Sequence, residues 1–285
     1  MAQCAGSLQG EWAPTLCDET MDFVDIIILG VLQGLTEFLP ISSSGHLVVA
    51  AALLEAESAK PFTNVVEVNI ILHLGTLLAV LVFYARPVMR MLGTDRNVIP
   101  RLIVATLPAV VVGLPLKKLA PQLLESPLLA GFMLPLTGAL LIWASRIAPG
   151  STQYTKLSYR QVFILGLFQA VAILPGISRS GATIAAGLAV GLDRENAATF
   201  AFLMAIPTIA GAGVLELVDF LQTPTPCTVP GLLLLGAGIS FLVGLVSLWW
   251  LVQWIQRGRL ADFAYWCIPL GIVVIAWQLW QLLGH

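Results

Sequence analysis

The chain is 285 residues long and strongly apolar: 58% of its residues are hydrophobic, 11% are charged, and its mean hydropathy is +0.91. Soluble domains carry about 25% charged residues, so this composition excludes an ordinary soluble domain and indicates a chain that crosses a membrane repeatedly. The formal net charge of −2 provides no basic surface, and we expect no nucleic-acid partner.

The first residues of the chain differ from the rest. Residues 1–22 are acidic and lack the basic start and apolar core of a signal peptide, so they predict a mobile extension, with Met21 as an alternative start. A single membrane domain is predicted for residues 23–285. The cysteines match no zinc-site spacing; they are Cys4, Cys17, Cys227 and Cys267.

Six segments are apolar enough to cross a bilayer, which takes about 20 residues of helix. The predicted transmembrane helices lie at about 65–84, 99–117, 127–146, 196–217, 230–254 and 264–283. The fold class that this pattern predicts is an all-α polytopic membrane protein.

Two further apolar regions, at about 23–54 and 161–191, are each interrupted by a Leu-Pro step and a turn rich in serine and glycine. The arms on either side of each turn are about 10–15 residues long, too short to cross the hydrocarbon layer alone. Non-helical backbone survives at membrane depth only inside protein or beside a wet cavity. We therefore predict two re-entrant helical hairpins whose turns face a cavity inside the protein.

The two interrupted regions are copies of one another. A shift of 136 positions, without gaps, places Gln33 on Gln169 and Ser42 on Ser178. The same shift pairs Leu29 with Leu165, Gly30 with Gly166, Ile41 with Ile177, Ser44 with Ser180, Gly45 with Gly181 and Ala50 with Ala186. We interpret this as an internal repeat, at about 23–147 and 159–283, in which each copy is a hairpin followed by three spans. An odd number of spans inverts the second copy relative to the first.

The distribution of positive charges predicts the orientation in the membrane. With the N-terminus outside, ten basic residues fall on the inner face and three on the outer face, a strong positive-inside bias. Both termini are therefore predicted outside, with the hairpins entering from opposite faces. The inner set is Arg86, Arg90, Arg96, Arg101, Arg146, Lys156, Arg160, Arg194, Arg257 and Arg259, and the outer set is Lys60, Lys117 and Lys118.

Three ionisable residues fall within the interrupted regions: Glu37 and His46 in the first, and Arg179 in the second. A charge stranded in lipid costs about 2.5–3.5 kcal/mol or more, so such residues are functional candidates by default. The arginine fork suits phosphate oxygens, and serine hydroxyls and glycine-rich turns at helix starts add further donors. The turns therefore predict a site for an anion, with phosphate favoured. These donors come from Ser42, Ser43, Ser44, Ser178 and Ser180, and from the backbone of Gly45, Gly176 and Gly181.

Glu37 would repel phosphate unless a divalent cation lay between them, and Mg²⁺ commonly takes one carboxylate together with substrate phosphates. Gln33 lies one helical turn before Glu37 and offers a second, neutral oxygen ligand. His46 suits general acid–base catalysis, and a nearby serine hydroxyl suits a nucleophile. The combination predicts phosphoryl transfer or hydrolysis. The sequence leaves the nucleophile open between Ser43 or Ser44, His46 and water.

At these residues the chain resembles the undecaprenyl-diphosphate phosphatases of the bacitracin-resistance (BacA/UppP) type. The first motif of that family runs from a Glu or Gln into TEFLP-(I/V)-SS-(S/T)-GH, and here it spans Gln33–Glu37 through His46. The second motif, PG-x-SRSG-x-T, here runs from Pro175 to Thr183. The likeness covers nearly everything after Met21, and it includes Leu74–Leu81, Tyr159–Gln161 and Phe200–Pro207.

The resemblance implies an enzyme that hydrolyses undecaprenyl diphosphate to the monophosphate and phosphate, recycling the lipid carrier for cell-wall synthesis. It implies a requirement for Mg²⁺ or Ca²⁺ and a cavity that opens toward the outer face of the bacterial cytoplasmic membrane. By the family motifs, Glu37, His46, Ser43 and Arg179 would form the catalytic core. The matched substrate-binding positions would be Ser42, Ser44, Gly45, Gly176, Ser178, Ser180, Gly181 and Thr183.

One position departs from the commoner family pattern. Many members carry Glu where this chain has Gln33, and Gln cannot ionise. Gln33 therefore cannot act as the base, and we expect weaker metal affinity with Glu37 as the main ligand.

A rival interpretation is a transporter or flippase for an anionic lipid, since inverted repeats with broken helices are a transporter architecture. An anion carrier has little use for Glu37 beside a turn with serine and histidine, which favours the enzyme. A homodimer is compatible with such a bundle.

Other polar residues have simpler interpretations. His73, alone in an apolar segment, is predicted to be a satisfied core histidine rather than a site residue. Asp193, Arg194 and Glu195 are predicted to form the solvated start of a helix, where acidic groups favour the helix dipole.

Overall fold

A computed structural model describes residues 23–57, 65–222 and 230–283. The predicted extension at 1–22 lies outside the described residues, as do Cys4, Cys17, Cys227 and Lys60. In the described part the chain is all-helical, with no strand and a single isolated bridge between Thr152 and Leu192. The all-α prediction is confirmed for these residues.

The described chain forms twelve α-helices. In chain order, α1 to α12 are Phe23–Thr36, Ser43–Glu57, Val65–Phe83, Ala85–Leu92, Val98–Leu119, Pro121–Leu124, Pro127–Ser145, Tyr159–Val171, Arg179–Ala189, Arg194–Gln222, Pro230–Gln256 and Ala264–Leu283.

Within the described chain, five helices are long and apolar enough to cross a membrane, or six if α3 and α4 count as one bent span. The predicted spans therefore correspond to α3, α5, α7, α10, α11 and α12, with boundaries close to those expected from hydropathy. The two interrupted regions form the pairs α1–α2 and α8–α9, each broken where the sequence places its Leu-Pro step.

Helix α4 was not predicted from hydropathy. It follows α3 at an angle of 74° and carries both apolar and basic residues. Met91 is buried in the protein, whereas Arg86, Met89 and Arg90 are exposed. A short helix with this division of residues suits the membrane interface better than the hydrocarbon layer.

The first helix of each interrupted region packs against a helix that is distant in the chain. Helix α1 packs mainly against α11, and α8 packs mainly against α5. Both contacts need glycine: a Cβ on Gly30 would lie 3.0 Å from the Ile239 side chain, and one on Gly166 would lie 2.6 Å from the Ala105 carbonyl oxygen. The two glycines that the 136-residue shift pairs therefore both stand at close helix–helix contacts.

Helix α9 lies at the centre of the fold. Every residue from Ser180 to Leu188 is buried, and the helix contacts α7, α8 and α10. Phe38 and Phe202 pack edge to face beside it, with ring centroids 5.9 Å apart. This packing fixes the N-terminal end of α9, where Arg179 begins the helix, inside the protein.

The start of α8 and the end of α9 are held together. Ser158 caps α8 in a capping box with Gln161, and the Gln161 amide also donates to the Val190 carbonyl at 2.9 Å. Helices α8 and α9 therefore run antiparallel from a common base. Asp193 accepts a hydrogen bond from the Asn196 backbone N–H at 2.8 Å, which confirms the predicted helix start.

Candidate active site

The two interrupted regions meet at their turns. The Ser42 hydroxyl accepts one hydrogen bond from the Gly45 backbone N–H at 3.2 Å and another from the Gly176 N–H at 3.1 Å. The first bond caps α2, and the second joins two turns that are 134 residues apart in the chain. A buried hydroxyl with two backbone donors fixes the relative position of the turns.

The second turn repeats this local geometry. Ser178 caps α9 by accepting from the Gly181 N–H at 3.1 Å, and its hydroxyl pairs with that of Ser180 at 3.1 Å. In the first turn the Ser42 and Ser44 hydroxyls lie 3.4 Å apart. The residues that the 136-residue shift pairs in sequence therefore make equivalent contacts.

Glycine permits the close approach of the two turns. A Cβ on Gly45 would lie 2.8 Å from the Gly176 Cα, and Gly176 itself has a φ of +93° with the Ala130 carbonyl directly beside it. Ser42 also takes a positive φ, of 70°, a conformation that is uncommon outside glycine. The strained turn is held by the hydrogen bonds that its hydroxyl accepts.

Glu37 is the hub of the site. Its side chain is 2% exposed, and its two oxygens accept from different groups. Oε1 pairs with the Arg179 guanidinium, while Oε2 accepts from the Ser43 hydroxyl at 3.1 Å and from the Gln33 amide at 3.2 Å. The structure thus brings together four of the predicted residues around one buried carboxylate.

His73 is a fourth group at the Glu37 carboxylate, after Arg179, Ser43 and Gln33. Its Nε2 lies 3.7 Å from Glu37 Oε2, and 23% of its side chain is exposed. The prediction of a core histidine is wrong, because His73 lines the same cavity as Glu37 and Arg179. A lone histidine in an apolar helix gives no sequence signal for the element that it faces. Its proximity to Glu37 therefore could not be predicted from the sequence.

A cavity of about 220 Å³ opens at the meeting point of the turns. Its polar lining residues are Thr36, Glu37, Ser42, Ser43, Ser44, His73, Gln169, Ser178, Arg179 and Thr208. Its apolar lining residues are Ala109, Ala172, Ile173, Ile177, Ile209 and Ala212. A cavity lined by both polar and apolar side chains suits an amphipathic ligand.

Gln169 is a cavity residue that was not among the predicted site residues. It is 2% exposed, it lines the cavity, and neither of its amide atoms has a partner among the described residues. The sequence carried a signal for it, because Gln169 occupies the repeat position of Gln33, a residue that was assigned to the site.

His46 lies beside the cavity and is not one of the residues that line it. Its Nδ1 lies 2.7 Å from the Ser42 carbonyl oxygen, and its Nε2 accepts from the Trp266 indole N–H at 2.9 Å. These contacts correspond to a neutral ring that donates through Nδ1. In this arrangement His46 supports the backbone of the Ser42 turn, and the structure does not bring it to the Ser43 hydroxyl.

The other predicted residues lie close to the site but do not line the main cavity. Ser180 and Thr183 line a smaller cavity behind Arg179 and Glu37, and the Thr183 hydroxyl donates to the Arg179 carbonyl at 2.8 Å. The backbone N–H groups of the three glycines each donate to a serine hydroxyl inside the fold. Their use for binding an anion stays a prediction; the three are Gly45, Gly176 and Gly181.

The metal-binding capacity of the site is small. Across the described residues, no three His, Cys, Asp or Glu side chains group together as a metal site. Glu37 lines the cavity, and Gln33, one helical turn earlier, contacts this carboxylate through its amide nitrogen, so that its amide oxygen is not used in this contact. This donor set fits a divalent cation if substrate phosphates provide most of the remaining ligands, which is the usual arrangement for Mg²⁺.

The fold and the site define an integral membrane protein in which two broken helical regions hold a buried carboxylate, a serine hydroxyl and an arginine around one cavity. The chain belongs to the family described as bacitracin resistance protein BacA, which matches residues 26–273.

Relatives in this family are similar over nearly their whole length. An undecaprenyl-diphosphatase of Rhodopirellula baltica is 48% identical over 255 residues, 89% of this chain and 97% of that protein. Undecaprenyl-diphosphatase 3 of Bacillus cereus is 38% identical, with 90% of this chain and 98% of that protein covered. An undecaprenyl-diphosphatase of Bdellovibrio bacteriovorus is 36% identical, with 90% and 95% covered.

Proposed function

We propose that this protein is an undecaprenyl-diphosphate phosphatase of the bacterial inner membrane, which hydrolyses the lipid diphosphate to the monophosphate and releases phosphate. The observation that carries the proposal is the Ser43 hydroxyl, which donates to a buried Glu37 that is paired with Arg179 in one cavity. The names of the relatives point to the same substrate. The product is the lipid carrier in the form that cell-wall synthesis reuses.

The geometry supports Ser43 as the nucleophile. As its oxygen forms a bond to the terminal phosphorus, Glu37 accepts the hydroxyl proton. The bond from that phosphorus to the bridging oxygen breaks, and its electron pair leaves with the lipid monophosphate. Arg179 stabilises the charge on the phosphoryl oxygens. Water then attacks the phosphoserine, Ser43 recovers its proton from Glu37, and one proton passes to solvent.

The two kinds of lining residue match the two parts of the substrate. Hydroxyl and guanidinium donors would bind the diphosphate. Apolar lining residues, including Ala109 of α5, Ile209 of α10 and Ile173 just after α8, would contact the first prenyl units. A soluble diphosphate lacks this apolar part, so the cavity is built for a lipid.

A divalent cation, Mg²⁺ or Ca²⁺, is part of the proposal. Glu37 and Gln33 would hold it together with oxygens of the diphosphate. When bound, the cation would offset the negative charge of the phosphates next to a carboxylate. The scarcity of protein ligands supports a cation that is held mainly through the substrate.

The proposed membrane arrangement keeps both hairpins re-entrant and the second repeat inverted. The four arms have 14, 15, 13 and 11 residues. They are about 16–22 Å long, shorter than the roughly 30 Å hydrocarbon layer. The equivalent contacts of Gly30 and Gly166 support the repeat. Together with the positive-inside bias, this supports an orientation with both termini and the cavity opening on the outer face.

The function is tested by measuring phosphate release from undecaprenyl diphosphate and farnesyl diphosphate by the purified protein in detergent. We expect turnover with added Mg²⁺ or Ca²⁺ and its loss in EDTA, restored when excess cation is returned. Full activity in EDTA would contradict the proposed cation. No release under any condition, with lipid movement in liposomes by the same preparation, would replace the enzyme with the carrier.

A further inference from the structure

We propose that Gln169 is a substrate-binding residue that donates an amide hydrogen bond to a phosphate oxygen of the lipid diphosphate. This inference rests on the proposed function and extends it to a residue outside both sequence motifs. The motifs as they stand here run from Gln33 to His46 and from Pro175 to Thr183.

The first argument comes from burial. Gln169 is 2% exposed, yet neither its amide nitrogen nor its amide oxygen has a hydrogen-bond partner among the described residues. Buried polar side chains are nearly always paired, because an unmade hydrogen bond leaves the desolvation cost uncompensated. Since Gln169 lines the cavity, a bound ligand is the partner that its amide can reach.

The second argument compares the two repeats. In the first repeat the Gln33 amide donates to Glu37, one helical turn further on, at 3.2 Å. The same step from Gln169 leads to Ile173, which has no polar group. The amide of the first copy is therefore used inside the fold, whereas the amide of the second copy remains for the ligand.

The third argument concerns the sign of the ligand. Glu37 is the one carboxylate among the residues that line the cavity, and the proposed cation is assigned to it. The groups on the cavity wall nearest in sequence to Gln169 are apolar or donors, namely Ile173, Ser178 and Arg179. A cation there would have no anionic ligand of its own, while a phosphate oxygen would accept from the amide N–H.

The test replaces Gln169 with leucine, which keeps the approximate volume and removes both polar atoms. We expect kcat/KM for undecaprenyl diphosphate to fall about 10- to 100-fold, the range for losing a hydrogen bond to a charged group. The melting temperature in detergent should stay the same or rise, because a buried unpaired amide is gone. A purely structural role would lower the melting temperature instead.

Two further variants sharpen the result. Tyr84→Phe removes the Tyr84 hydroxyl, the other buried side-chain polar atom that has no partner among the described residues, and Tyr84 does not line the cavity. The kcat/KM of this control should stay within about twofold of wild type. Gln169→Glu should reduce kcat/KM more than leucine does, because a carboxylate repels phosphate. Tighter activation by Mg²⁺ in Gln169→Glu would instead assign the position to the cation and overturn the proposal.

The remaining outcomes separate this inference from the proposed function. An inactive wild-type protein would refute the function itself. An active wild type with an equally active Gln169→Leu variant would refute only the role of Gln169. Lower activity of Gln169→Leu together with a lower melting temperature would also refute that role. An equal fall in the activity of Tyr84→Phe would refute it as well.

Discussion

At the residue scale, Glu37 organises the chemistry because it connects the two turns and the serine. The carboxylate is buried and balanced by Arg179, and removing one partner of a buried ion pair typically costs about 3–5 kcal/mol. Loss of activity in Arg179→Ala would therefore mix catalysis with stability. The serines provide a cleaner comparison, since Ser43 contacts Glu37 and Ser44 contacts only Ser42 among the hydrogen bonds of the described side chains.

The two serines should differ sharply when each is replaced with alanine. Ser43→Ala is expected to reduce kcat by about 1,000-fold or more, as removal of a nucleophile does. Ser44→Ala removes the hydroxyl partner of Ser42 and at most one donor to the diphosphate, so it is expected to cost no more than about 100-fold. Both changes are small, so the melting temperatures of the two variants should stay close to that of wild type.

A direct signature would accompany the kinetics. Acid quenching during turnover should trap phosphate on Ser43, detectable by mass spectrometry of the peptide that contains it. Phosphohistidine hydrolyses in acid, so a parallel sample is quenched with denaturant at mildly alkaline pH. Equal activity of the two variants, or phosphate found on His46 in that sample, would contradict the assignment of the nucleophile.

At the element scale, the site depends on two helix breaks that pack against each other at a contact between glycines. Ser42 and Ser178 each cap the helix that follows, and the Ser42 hydroxyl also binds the opposite turn. Because Gly45 meets Gly176 at this contact, the position of Ser43 and Glu37 relative to Arg179 depends on the absence of a Cβ.

Adding one methyl group at this contact should separate the turns. Gly45→Ala places a Cβ 2.8 Å from the Gly176 Cα, and overpacking of this kind costs about 1–3 kcal/mol. We expect a lower melting temperature and a loss of phosphate release. Gly238→Ala is the matched control, because no described heavy atom apart from its chain neighbours and the nearby backbone of its own helix lies within 4 Å of its Cβ position. A Gly45→Ala variant with the melting temperature and phosphate release of the wild-type protein would show that the turns are not in contact.

At the scale of the whole molecule, hydropathy and the internal repeat were enough to predict the spans, the two breaks and the meeting of their turns. Matched Ser42 and Ser178 indicated equivalent caps before any geometry was known. Gln33 and Glu37 lie one turn apart in a helix, so their pairing was also predictable.

Other features depended on tertiary contacts that leave no periodic signal. His73 reaches Glu37 from a different helix, and His46 turns toward Trp266, which lies 220 positions further along the chain. Helix α4 was missed because it has only eight residues, too few for its amphipathic pattern of Arg86 and Arg90 to be recognised.

The meeting of the two turns can be measured by disulfide cross-linking between Pro40→Cys and Gly181→Cys in a chain whose native cysteines are replaced with alanine. A Cβ at position 181 would lie 3.2 Å from the Pro40 Cβ, close to the roughly 3.5–4.5 Å found across disulfides. Oxidation should form this cross-link in the folded protein, while Pro40→Cys with Gly238→Cys should form none. A folded protein without the 40–181 cross-link, or with both cross-links equally, would contradict a site shared by the two turns.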